Sequence, residues 1–167
     1  MRLSEKETIT TMDILKYFFR IEDTENRYSI FIRVLAGGVF LWEGMIKFLY
    51  ANQGIGRFTK LGFSQPDLVA NLIGGLEILG GLMLIAGILT RPLSFIFMIQ
   101  MLVAMYMTKV PLFFGTSPLP PPQAPPIVGI WAVLHEIRSE YSQLLSCLFL
   151  FFAGPGKFSV DSIRKNR

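Results

Sequence analysis

The sequence predicts an all-α fold, a four-transmembrane-helix bundle with both termini cytoplasmic. Three observations predict it. Apolar residues gather in long, nearly uncharged blocks rather than in an amphipathic pattern. Charged residues make up 17% of the 167 residues, against roughly 25% in a soluble domain. Lysine and arginine concentrate at the two ends of the chain. A block of about 18 or more apolar residues is long enough to span the hydrocarbon core.

Residues 1–29 form a polar cytoplasmic tail of mixed charge, and its segment 12–21 has the pattern of a short interfacial helix. The membrane domain covers 30–153, with spans expected over 30–49, 68–89, 92–108 and 134–153. Pro92 suits a first helical position, so the second and third spans form a tight hairpin around Arg91. Segment 110–126 carries a proline-rich run and reads as a stiff connector. The fourth span takes polar residues in with it, because the apolar run after Tyr141 is too short to cross alone. It stops at Gly154-Pro155-Gly156, and a basic cytoplasmic tail covers 154–167.

Arg2, Lys6, Lys16, Arg20 and Arg27 precede the first span, Arg91 lies in the hairpin, and Lys157, Arg164, Lys165 and Arg167 follow the last span. The opposite side holds Arg57, Lys60, Lys109 and Arg138. The positive-inside bias therefore places both termini in the cytoplasm of a multi-pass cell-membrane protein. The net charge of +4 has this origin rather than nucleic-acid binding. The first apolar block starts too far along the chain for a cleavable signal.

Cys147 is the lone cysteine and His135 the lone histidine. One thiol makes no internal disulfide or dithiol redox pair, and one histidine makes no bis-histidine haem. No metal site and no covalently bound cofactor are expected.

Charges within a span are costly and mark candidate sites. Arg33, Gly37, Phe40, Gly44 and Lys47 recur at steps of three and four, which makes one helical stripe. Glu43 stands one turn before Lys47, the favourable order for an ion pair. Gly74, Glu77 and Gly81 share a face of the second span, and Glu136, Glu140, Gln143 and Cys147 share one on the fourth. The glycines Gly37, Gly44, Gly74 and Gly81 are candidate helix-packing positions. At 1.5 Å per residue, Glu43 and Glu140 lie roughly 9 Å, and Glu77 roughly 13 Å, from the non-cytoplasmic boundary. Glu43, Lys47, Glu77 and Glu140 are therefore the candidate intramembrane cluster, in which at least one carboxyl keeps its proton. The cluster reads either as a polar lock on helix register or as a proton-active or quinone-headgroup site. Trp131 and His135 are candidates to face a quinone ring, or else interfacial anchors.

These residues also carry a resemblance. The stripe from Arg33 to Lys47, then Glu77-Ile-Leu-Gly-Gly81 with Gly87-Ile-Leu-Thr-Arg91, then Glu140 with Gly154-Pro155-Gly156 and Asp161, resembles the DoxX family of small four-helix membrane proteins. The proline-rich connector and Gly129–Glu136 lean towards its DoxD-like branch, the small subunit of thiosulfate:quinone oxidoreductase. The resemblance implies a membrane subunit of an oxidoreductase complex in a quinone-binding or anchoring role. Its other implication is a non-catalytic scaffold, assembly factor or chaperone. The expected partners are the lipid bilayer and either another subunit or a second copy of the chain. Quinone is the expected ligand.

Overall fold

The computed structural model describes residues 26–165, so the interfacial helix expected over 12–21 lies outside the described residues. Every regular element among them is helical: α1 (Ser29–Leu49), α2 (Ile55–Lys60), α3 (Pro66–Ala86), α4 (Thr90–Phe114), α5 (Ile130–Glu136), α6 (Arg138–Ala153) and α7 (Val160–Lys165). Three of these helices, α1, α3 and α4, are long and apolar enough to cross a bilayer.

Glycine chemistry sets the turns. α3 ends at Gly87, whose φ of 73° is left-handed; Ile88 N–H then reaches Met83 O at 2.8 Å and closes the last turn. The hairpin to α4 is therefore Gly87–Leu89, earlier than expected, and Pro92 is the third residue of α4 rather than the first. It fits there because a first-turn N–H has no partner within the helix. α4 runs on to Phe114, through Pro111, where the sequence suggests an end near Thr108. The proline sits in the last turn, and Gly115 (φ 70°) with Thr116 N–H on Pro111 O at 2.9 Å finishes the helix beyond it.

The fourth apolar region is bent. α5 and α6 meet at Ile137, whose N–H bonds Val133 O at 2.9 Å and whose carbonyl takes Tyr141 N–H at 2.8 Å. The path from 130 to 153 is thus nearly one helix with a bend, and its first half carries His135, Glu136, Arg138 and Glu140. α6 by itself has 16 residues.

α1 packs most extensively on α3, and α4 on α6; α1 also touches α6. The centre is Ala36, Phe40, Leu84, Phe97, Cys147 and Leu150, all at most 1% exposed. Phe40 and Phe97 stack with ring centroids 3.8 Å apart. Outward faces are apolar: Phe31, Trp42, Leu72, Leu79, Leu102 and Tyr106 are each more than half exposed. Around the apolar centre the inward faces also hold glycine, serine and arginine. Apolar side chains outside and small or polar ones between helices suit hydrocarbon as solvent, where helices associate through close packing and polar contacts.

Candidate functional site

The α1–α3 seam is where the small residues of the stripe act. A Cβ on Gly37 would stand 2.5 Å from Gly81 O, and one on Gly81 would stand 2.6 Å from Gly37 O. At Gly44 it would meet Gly74 O at 2.7 Å and Glu77 Cβ at 2.9 Å. The Gly74 position is filled from the other side by the Phe48 ring. Backbones this close bring the polar side chains of α1 and α3 within reach of each other.

Lys47 Nζ lies 2.6 Å from Glu77 Oε2, with the Glu77 side chain 4% and the Lys47 side chain 12% exposed. Gln100 on α4 donates from Nε2 to Glu77 Oε1 at 2.6 Å. Three helices thus converge on one carboxylate. Glu43 is the outer neighbour: its Oε2 is 4.0 Å from Lys47 Nζ and its side chain is 54% exposed. The short partner of Lys47 is therefore Glu77, while the i,i+4 residue Glu43 sits at the rim.

Glu140 stands apart from this group. Its Oε1 is 2.9 Å from Lys109 Nζ, which ties the start of α6 to the far end of α4. Ser139 Oγ donates to its other oxygen at 2.9 Å. The four candidate residues are thus split: Glu43 and Glu77 share Lys47, while Glu140 pairs with Lys109. On α6, Gln143 and Cys147 are buried, whereas on α5 His135 is exposed and meets the half-buried Glu136 at 3.3 Å (Nδ1 to Oε1). Trp131 is 71% exposed. Neither ring points into the bundle.

Sequence reasoning missed Gln100 and Lys109. Gln100 had a signal, as the one amide in an otherwise apolar run from 92 to 108. Lys109 was read as a loop charge because the helix was expected to stop one residue earlier.

The remaining motif residues assemble at the other end of the bundle. Arg33 is 1% exposed and donates through Nη2 to Phe158 O. Arg91 donates to Phe152 O at 3.4 Å, with Gly154 packed against its guanidinium. Gly156 lies against Asn26 O and Ser29, and Lys157 N–H reaches Asn26 O at 3.3 Å. Asp161 N–H bonds Gly87 O at 3.1 Å, and its carboxylate accepts the backbone N–H groups of Thr90 and Leu89. It therefore caps α4 from across the fold, where Leu89 offers no side-chain cap and holds a left-handed φ of 49°. Burial pushes the Asp161 carboxyl above its ordinary range, opposed by those two hydrogen bonds and by the charges of Arg164 and Arg33. Asp161→Ala is expected to cost about 1–2 kcal/mol, the scale of a lost helix cap. Thermal unfolding in detergent checks this; an unchanged melting temperature would show that the cap is idle.

A family model described as DoxX matches residues 29–110, which holds Arg33, Lys47, Glu77 and Arg91. An uncharacterized membrane protein of Mycobacterium tuberculosis, Rv3486, is 38% identical over 133 residues, covering 79% of this chain and 78% of that protein. No solved structure matches the chain. With its stripe, its buried carboxylate and these two likenesses together, the chain is a membrane protein that belongs to the DoxX family.

Proposed function

We propose that this chain is the quinone-binding or anchoring subunit of a membrane oxidoreductase complex, with Glu77 as its proton-active group. The observation that carries the reading is one buried carboxylate held from two other helices at 2.6 Å, by Lys47 and by Gln100. A polar network across three spans is expensive in a bilayer and is a functional candidate by default. Lys47 Nζ and Gln100 Nε2 are donors suited to a quinone carbonyl, and Glu77 can release or take a proton beside them. Glu43, half exposed at the rim, is the outer neighbour of Lys47 and the side from which a headgroup would approach. A quinone, when bound, supplies the redox chemistry. This chain orients its headgroup, and a partner subunit delivers the electrons. Thiosulfate is the donor that the DoxD-like features suggest.

Glu77→Gln keeps size and hydrogen bonding but removes the titratable proton. In the purified, intact complex it is expected to abolish quinone-dependent turnover while the melting temperature barely moves. Near-wild-type quinone reduction would contradict the reading. It would leave a second one, a polar lock in a scaffold or assembly factor, which the tight glycine seam around the same residues also supports.

The bundle is proposed to make four crossings with cytoplasmic termini, the fourth by α5 and α6 together. Two observations support this. α6 ends beside Arg91, and the segment after it packs on Asn26 and Ser29 at the start of α1. The basic residues Arg27, Lys157 and Arg164 gather at that same end, as the positive-inside rule requires. In a Cys147→Ala background, cysteines at Arg27 and Lys157 are expected to resist an impermeant thiol reagent in intact cells. Cysteines at Ser64 and Thr116 are expected to react. Labelling of only one of the two end positions would refute an even number of crossings.

A further inference from the structure

α7 is inverted relative to a helix that lies on a protein in water. Its inner face buries polar groups: Ser159, Asp161 and Ser162 are 3%, 8% and 8% exposed. Those groups are satisfied locally, with Ser159 Oγ donating to Gly156 O at 2.8 Å and accepting Ser162 N–H at 3.1 Å. Outside, α7 presents Ile163, 57% exposed, and the segment before it presents Phe158, 56% exposed. Tyr28 at 75% and Leu89 at 42% extend the apolar rim. Among them stand three exposed cations, Arg27, Lys157 and Arg164. The contact of Lys157 N–H with Asn26 O brings the first two together. Asp161 is the lone acid in segments 26–30, 86–94 and 152–164 that build this end, and it is buried.

We propose that this collar is a docking surface for anionic phospholipid headgroups. Exposed aromatic and aliphatic side chains beside basic ones match the boundary between acyl chains and headgroups, where the apolar part is buried and the cations meet phosphate. Among the described residues the exposed charge here is of one sign, so the complement is an anion, and the apolar rim joins the ends of the long helices rather than standing on a projecting domain. Each lysine or arginine near such a surface contributes about fivefold in affinity, the equivalent of about 1 kcal/mol. The collar also carries Asp161 and Phe158, which hold α4 and Arg33. Lipid bound there is therefore coupled to the stability of the whole bundle. The proposal is independent of any reaction at Glu77.

The test uses the full chain in mixed micelles of phosphatidylcholine, into which phosphatidylglycerol is titrated while the melting temperature is followed. Wild type is expected to gain stability with added phosphatidylglycerol, and 0.5 M salt, where screening is roughly twofold shorter in range than at physiological ionic strength, should reduce the gain. The double variant Arg27→Gln/Lys157→Gln is expected to keep its melting temperature in phosphatidylcholine and to need about 25-fold more phosphatidylglycerol for the same gain. Arg57→Gln/Lys60→Gln, at the opposite end, is expected to respond as wild type. The proposal is overturned if wild type shows no response. It is equally overturned if the collar variant responds as wild type, or if both variants lose the response alike. A collar variant that keeps the lipid response but loses a protein copurifying in mild detergent assigns the surface to that protein instead.

Discussion

Replacing Lys47 with methionine is expected to destabilise the bundle by about 3–5 kcal/mol, the scale for stranding one member of a buried ion pair. The reason is the asymmetry of the site. Glu77 is 4% exposed on its side chain and has no other cation among the described residues, so loss of Lys47 leaves it with Gln100. The reverse change is milder. In Glu77→Gln the lysine, 12% exposed, can swing outward to Glu43, which already stands 4.0 Å away. Thermal unfolding in one detergent, with all variants side by side, measures both. Equal losses for the two variants would show that the site lacks this asymmetry.

Gly37→Ala is expected to cost about 1–3 kcal/mol, the range for overpacking a close-fitted interior. The added Cβ would stand 2.5 Å from Gly81 O, which is backbone and cannot rotate away. Gly75→Ala is the matched control. It is also a glycine within a span, but no atom lies within 4 Å of its would-be Cβ. There the change is expected to be neutral or to stabilise by up to about 1 kcal/mol through helix propensity. If both variants melt alike, the α1–α3 seam is not the close contact described.

The glycine periodicity made this seam readable in advance. Gly37, Gly44, Gly74 and Gly81 fall on stripes whose spacing needs only 3.6 residues per turn, and the structure joins those stripes. Arg33 and Lys47 were legible for the same reason, because charge within an apolar block must find a partner. Which partner was not legible. Sequence adjacency favoured Glu43 for Lys47, yet the side chain turns inward to Glu77, since the α1–α3 backbones come close enough to offer a buried carboxylate. Glu140 was grouped with the others by depth alone. Depth says nothing of azimuth, and on the bundle Glu140 faces α4 and Lys109. α4 runs past the expected span of 92–108, through Pro111 in its last turn, and Gly115 is the residue that ends the helix. The motif residues from Gly154 to Asp161 carried a family resemblance but no visible task. Their work is tertiary, holding Arg33, Arg91 and the start of α4, and no local pattern announces a contact 125 residues away in sequence.

The pairing of Lys47 with Glu77 lies at the heart of the bundle. A double-mutant cycle tests it most directly, with melting measured for Lys47→Met, Glu77→Gln, Glu43→Gln and the two doubles containing Lys47→Met. Neutralising the true partner removes the stranded charge. Lys47→Met/Glu77→Gln is therefore predicted to be more stable than Lys47→Met alone, and Lys47→Met/Glu43→Gln is predicted to recover nothing. Recovery by Glu43→Gln without recovery by Glu77→Gln would contradict the account.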